Sequence, residues 1–320
     1  MTIRKYHSSD PGAPAVNQAS WFQTFRAVLR ACLVDGYGAG SSPPAGWSLI
    51  YDNTNGIVLK SNGVAPAYFN FQAYSPTGSN NTYGYMQCLI GASCDSVNAS
   101  GLMSGDGVRS GNVTNQQRIP LRAAFAGTTW TLLADERTFV FYANSNDLNN
   151  FQGSQSIVML YCGDDASNRS IVIGGALSSS ASSALYNRFH SGGCAGSALR
   201  DPESGLLLDS VGGSLVSVAL DVGSAANGSS WGMPYSGGLD ELPLYPCYWL
   251  YGDTLVGRLR GLCLSPIAIY SESTLLKALG LSPSLVTRGA WAQLGEHHYA
   301  GGISGNYSPS LVLTTNPAYW

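Results

Sequence analysis

Three pairs of adjacent carboxylates, Asp135-Glu136, Asp164-Asp165 and Asp240-Glu241, are the side chains of this sequence best suited to acid–base work. Glycoside hydrolysis needs one carboxyl as proton donor and a second as nucleophile or base, facing each other across the sugar. Neighbours in a strand point to opposite faces, so no single pair supplies that geometry. Each pair stands beside a turn, where aspartates accept hydrogen bonds from local backbone N–H groups, and this structural role is the expectation for all three. Arg137, Arg258 and Arg260 lie within apolar segments, and pairing with Asp135, Asp164 or Asp253 is expected of them rather than catalysis. For a metal, the candidates are His190 with Cys194 and the pair His297-His298. A zinc site needs four converging ligands, and the chain has no Cys-x-x-Cys and no His-x-His. No nucleophile elbow, P-loop or dinucleotide fingerprint occurs. The residues therefore predict a protein that is not an enzyme, with no cofactor and no metal.

Eighteen tyrosines and seven tryptophans offer a different chemistry, the stacking of rings. Core and interface packing accounts for most of them. Tyr83, Trp231, Tyr235 and Tyr307 lie among Gly, Ser and Asn, where they would form a platform for sugar rings. Charged residues are 11% of the chain, against about 25% in an ordinary soluble domain. Its solvated surface must then be built from Ser, Asn, Thr, Gly and Tyr. With a net charge of −3 and only three lysines, the clustered positive charge that a nucleic-acid partner requires is missing. No apolar run of about 18 residues predicts a membrane span. The first seven residues hold no apolar core like that of a secretory signal, which predicts synthesis in a cytoplasm. Seven cysteines, odd in number and mostly inside apolar runs, are then expected to be reduced, buried thiols.

The elements that must position these side chains are mainly strands. Thirty-nine Gly and fifteen Pro suit many short strands joined by tight turns. One amphipathic helix stands apart: Ser20 as N-cap with Gln23 in a capping box, an apolar stripe of Trp21, Phe22, Phe25, Val28, Leu29, Cys32 and Leu33, and Gly36 as the stop. A hairpin follows, with strands 47–52 and 57–60 around Asn53-Thr54-Asn55-Gly56. Strand patterns continue at 67–74, 83–90, 129–135, 137–142, 156–162, 213–222, 245–251, 255–270 and 310–315, while 91–117 and 223–240 read as long polar loops. The prediction is an all-β protein, sandwich-like antiparallel sheets with the 20–34 helix packed on the core. An extended arm spans 1–19, the helix and the first half of the β-domain 20–176, the second half 177–287, and an arm with an edge strand 288–320.

Four sets of words carry a resemblance: Ala31-Cys32-Leu33-Val34-Asp35-Gly36-Tyr37-Gly38 with Pro44-Ala45-Gly46-Trp47; Trp130 through Phe139; Tyr161-Cys162-Gly163-Asp164-Asp165; and Gly257-Arg258-Leu259-Arg260-Gly261-Leu262. In this order the sequence resembles a family of tailed-bacteriophage virion proteins encoded among tail and baseplate genes. The last word lacks the proline of the family's "RG-x-L-PG-L" segment. The resemblance implies a structural component of the virion tail, at the tail tip or baseplate, made in the host cytoplasm and working as a homo-oligomer among other virion proteins. A receptor- or glycan-binding tail-tip protein is the alternative, and a tail-associated glycan hydrolase the third reading. With so few charges, subunit contacts should be apolar or made by main chain. The 310–315 strand would then add to a neighbour's sheet, burying Leu311 and Leu313, and Trp320 would fill a pocket on the partner.

Overall fold

A computed structural model of the chain describes residues 2–16, 20–74, 83–108, 118–122, 129–144, 157–174, 195–200, 205–207, 214–216, 245–251, 254–265, 293–294, 310–313, 315 and 317–320. Along the chain come strand β1 (Arg4–His7), helix α1 (Trp21–Arg30), and strands β2 (Ser48–Asp52), β3 (Gly56–Lys60), β4 (Tyr68–Tyr74), β5 (Tyr83–Gly91), β6 (Ser96–Val97) and β7 (Met103–Ser104). Then follow β8 (Arg118–Arg122), β9 (Thr129–Ala134), β10 (Thr138–Asn144), β11 (Ile157–Asp164), β12 (Ser170–Gly174) and β13 (Ala195–Ala198). The remaining strands are β14 (Ser214–Val216), β15 (Tyr245–Tyr251), β16 (Thr254–Ser265), β17 (Gln293–Leu294) and β18 (Ser310–Leu313). They form three antiparallel sheets of order β1-β9-β10-β11-β12-β13, β2-β3-β4-β5-β8 and β14-β15-β16-β18-β17, plus the small β6-β7 ribbon. Among the described residues α1 is the one α-helix, and no helix is long and apolar enough to cross a membrane.

Ser20 stands at the N-cap, yet its side chain makes no capping bond, because its ψ of 50° leaves the extended geometry that capping requires. The Ser20 carbonyl accepts the Thr24 N–H, the first bond of the helical ladder, and also the Thr24 Oγ1 hydroxyl. At the other end the helix widens into a π-turn over Ala31–Asp35, and Gly36 stops it with φ of 78°. Gly36 N–H closes onto the Ala31 carbonyl at 2.8 Å, and the N–H groups of Ala45 and Trp47 take the Cys32 and Leu33 carbonyls. The helix end is therefore satisfied by the segment that leads into β2. Asn53 organises the first hairpin as expected, its Oδ1 accepting the N–H groups of Asn55 and Gly56 at 2.8 Å.

One apolar core joins α1 to alternate residues of two sheets: Ile57 and Leu59 of β3, Phe69 and Phe71 of β4, Trp130 and Leu132 of β9, Phe139 and Phe141 of β10. Phe25 lies edge-on to Phe71 and Phe141, with ring centroids 6.4 and 5.0 Å away, and Trp47 packs on Phe69 and Phe139 at 5.5 and 5.3 Å. The other face of the first sheet is buried as well, since Leu133, Val140, Tyr161 and Ile171 are at most 1% exposed. Burial on both faces explains why Trp130–Ala134, Phe139–Phe141 and Leu160–Cys162 read as nearly unbroken apolar runs.

Two expectations change. Residues 2–16 are no free arm: β1 pairs with β9, Tyr6 is buried, and Trp130 Nε1 donates to the Pro14 carbonyl at 3.0 Å. A strand of four residues with one inward aromatic is too short to show a period. The described part of the 91–117 loop is likewise tied down. Asn70, wholly buried in β4, donates to the Gly101 carbonyl at 2.9 Å and accepts the Met103 N–H at 3.1 Å, while Met103 packs on Val58 and Leu89.

Candidate functional site

The acids and arginines picked out by the sequence meet where the β9–β10 turn, the β11–β12 turn and β16 come together. Asp135 directly follows β9, and its Oδ1 accepts the backbone N–H groups of Arg137 and Thr138 at 2.9 and 2.8 Å, the turn role expected of it. The same carboxylate takes Arg260 of β16, whose guanidinium donates to Oδ2 at 2.5 Å and to Thr138 Oγ1 at 2.7 Å. Asp135 and Arg260 are 0% and 1% exposed, so this ion pair is sealed from water. A buried pair of this kind holds only because further hydrogen bonds satisfy each partner.

Asp164 repeats the arrangement at the end of β11. Arg137 pairs with its Oδ2 at 3.1 Å, and Ser170 Oγ donates to Oδ1 at 3.0 Å. Arg137 also donates to Asn168 Oδ1. Burial nonetheless pushes the Asp164 carboxyl above the ordinary range, against the pull of Ser170 and Arg137. Asp165 Oδ1 accepts the N–H groups of Ser167 and Arg169 at 2.7 and 2.8 Å, again a local turn role. Its Oδ2 is buried without a hydrogen-bond partner among the described residues, and desolvation raises the carboxyl to about 6.

Tyr161 threads the two halves together. Its hydroxyl donates to the Asp164 carbonyl at 2.7 Å and accepts the Arg260 N–H at 3.1 Å, and burial raises its pKa. Trp320 closes the outside, with the Arg260 guanidinium 5.5 Å from its ring centroid, a cation–π distance. Gly261 makes room for that ring: its φ is +70°, and a Cβ there would meet the Trp320 ring at 2.6 Å. The second sheet grips the same corner through Trp47 Nε1, which donates to the Asp135 carbonyl at 2.8 Å, and through Asn62 N–H to the Glu136 carbonyl at 2.7 Å.

Chemically this is a closed knot. Asp135 and Asp164 each face a guanidinium, and Asp135, Asp164, Asp165 and Arg260 are at most 1% exposed. Among the described residues no group of three or more His, Cys, Asp or Glu is arranged to hold a metal. The sequence foresaw the pairing of Arg137 and Arg260 with Asp164 and Asp135. It missed Thr138 and Tyr161, whose only signal was a polar residue in a run otherwise apolar, and it gave Trp320 to a partner's pocket where the structure packs it on Arg260 and Gly261.

The remaining candidates fall elsewhere. Tyr83 stands in β5 opposite Arg122. Trp231, Tyr235 and Tyr307 lie outside the described residues, as do His190, Cys194, His297, His298 and the Asp240-Glu241 pair. β18 is no edge strand: it lies between β16 and β17, with Leu311 in register with Leu264 and Leu294, and Leu313 with Leu262. The main-chain groups reserved for a neighbour are engaged by the chain itself, and Trp320, 9% exposed, is packed on its own β16. Cys32, Cys88 and Cys162 are free and buried, and Cys94 is free and half-buried. No protein family, no curated protein and no solved structure matches the chain.

Proposed function

We propose that this chain is a non-enzymatic structural component of a bacteriophage virion, seated at the tail tip or baseplate in several symmetric copies and made in the host cytoplasm. What supports the reading is the use to which its family-like words are put. Asp135-Glu136-Arg137-Thr138, Gly163-Asp164-Asp165 and Arg258-Leu259-Arg260-Gly261 contribute the sealed knot, and their carboxylates serve turns and ion pairs. A glycosidase must keep two carboxyls open to a sugar, so residues of this kind are poor candidates for that chemistry. In the same reading the first two sheets lie face to face, sandwich-like, with α1 closing one side through Phe25. A chain with only 11% charged residues suits apolar and main-chain contacts with like subunits, since isolated exposed ion pairs contribute only about 0 to 1 kcal/mol.

The test is the particle. Mass spectrometry of purified virions should find the chain in stoichiometric, symmetric copies, cryo-microscopy should place it at the tail end, and deletion should abolish assembly. Intact particles that fail to adsorb after deletion would replace this reading with receptor or glycan binding. Release of sugars from host envelopes, abolished by changing an acid, would replace it with hydrolysis.

A further inference from the structure

Asp165 is the one member of the knot whose carboxylate is half-used. Its Oδ1 holds the turn that follows β11 by accepting Ser167 and Arg169 N–H, while Oδ2, with no hydrogen-bond partner among the described residues, is buried against Gly257 of β16, where an added Cβ would collide with it. One residue on, Ala166 N–H donates to the Arg258 carbonyl at 2.9 Å, so the turn is docked on β16 at this point. Around Asp165 lie Asp164 and Tyr161 of β11 and Arg169 of the turn, while β16 meets it through Gly257 and the Arg258 carbonyl, with Arg260 bonded to the Tyr161 hydroxyl. Arg260 is committed to Asp135, and Arg137 of the β9–β10 turn to Asp164 and Asn168. A charged Asp165 stands desolvated beside the Asp164 carboxylate, opposed by the Ser167 and Arg169 N–H groups and the charge of Arg169.

We propose that Asp165 is a proton-operated clasp between the β11–β12 turn and β16, seated when its carboxyl is neutral and loosened when it is charged. The desolvated carboxyl, raised to about 6, supports this direction. Its folded pKa lies above the ordinary aspartate value of about 4, so the closed state binds the proton more tightly than the open one. Closure is then favoured by acidification, and the opening equilibrium rises as pH climbs through the window from about 4 to about 6, after which it levels off.

Hydrogen exchange of the full chain at about pH 5 and about pH 7.5 tests this, with rates corrected for intrinsic exchange. Opening of the 165–169 amides should increase about tenfold at the higher pH, the ratio that two carboxyl pKa values near 4 and 6 give over this interval. Asp165→Asn should show no such change, and Gly257→Ala, whose methyl takes the place of Oδ2, should show open-like exchange at both pH values. Equal protection at both pH values in the unaltered chain overturns the clasp, as does an undiminished pH response in Asp165→Asn. If the Asn variant does not fold, direct NMR titration of the Asp165 carboxyl decides: a midpoint near 6 supports the clasp, and one near 4 overturns it.

Discussion

Arg260 and Asp135 carry the sharpest consequence at the scale of single residues. Arg260→Met leaves a carboxylate buried without its counter-charge, and removing one partner of a buried pair costs about 3 to 5 kcal/mol. Asn in place of Asp135 can still accept the Arg137 and Thr138 N–H bonds without carrying charge. The double variant Arg260→Met with Asp135→Asn should then unfold at higher denaturant than Arg260→Met alone, and a denaturant titration of both checks this. Thiol chemistry offers a second reading of burial. Desolvation raises the pKa of Cys32, Cys88 and Cys162, which are buried in the core, and more mildly that of half-buried Cys94. The thiolate is the nucleophile, so alkylation of the native chain followed by peptide mapping should mark Cys94 well before these three, which react on unfolding. The pairing of Arg137 and Arg260 with acids was legible because an arginine inside an apolar run demands a counter-charge. The choice of Asp135 over Asp253 for Arg260 was not legible, because it depends on how β16 crosses the β9–β10 turn.

At the scale of elements, the β6–β7 ribbon and the Trp320 contact are each held by a few named groups. Asn70→Ala removes the buried amide that donates to the Gly101 carbonyl and accepts from Met103, stranding both without a partner. A cost of about 1 to 3 kcal/mol follows from buried groups left unsatisfied. Limited proteolysis should then cut between residues 96 and 104, where the unaltered chain resists. Gly261→Ala both forces a side chain into positive φ and drives a methyl against the Trp320 ring. Trp320→Ala removes the same contact from the other side and should lower the unfolding midpoint in the same direction, while the double variant adds less than the sum of the two. The hairpin at Asn53–Gly56 and the helix from Trp21 were legible from turn chemistry and from a 3.6-residue stripe. The π-turn at Ala31–Asp35 was not, because it arises from the way Ala45 and Trp47 return to the helix's last carbonyls.

At the scale of the whole molecule, the first two sheets share one aromatic core, and the knot ties the first sheet to β16 of the third. Breaking the knot should therefore loosen the attachment of β16 before it melts that core. Arg260→Met examined by hydrogen exchange should show early exposure of 254–265 while Phe69, Phe71, Phe139 and Phe141 segments stay protected. The sequence by itself determined that the chain is strand-rich with one amphipathic helix, because period and turn residues are local properties of the chain. It also determined the turn roles of Asp135 and Asp165, because aspartates beside turns bond their own backbone, whereas Asp164 instead takes the side chains of Arg137 and Ser170. Only the tertiary structure decided what lies across from what. That β1 joins the first sheet, that β18 sits inside the third, that a loop of small residues covers Val58 and Leu89, and that Trp320 packs on Arg260 are contacts between segments far apart in sequence. Such contacts are chosen by the burial of whole surfaces against one another, and no short window of residues contains that information.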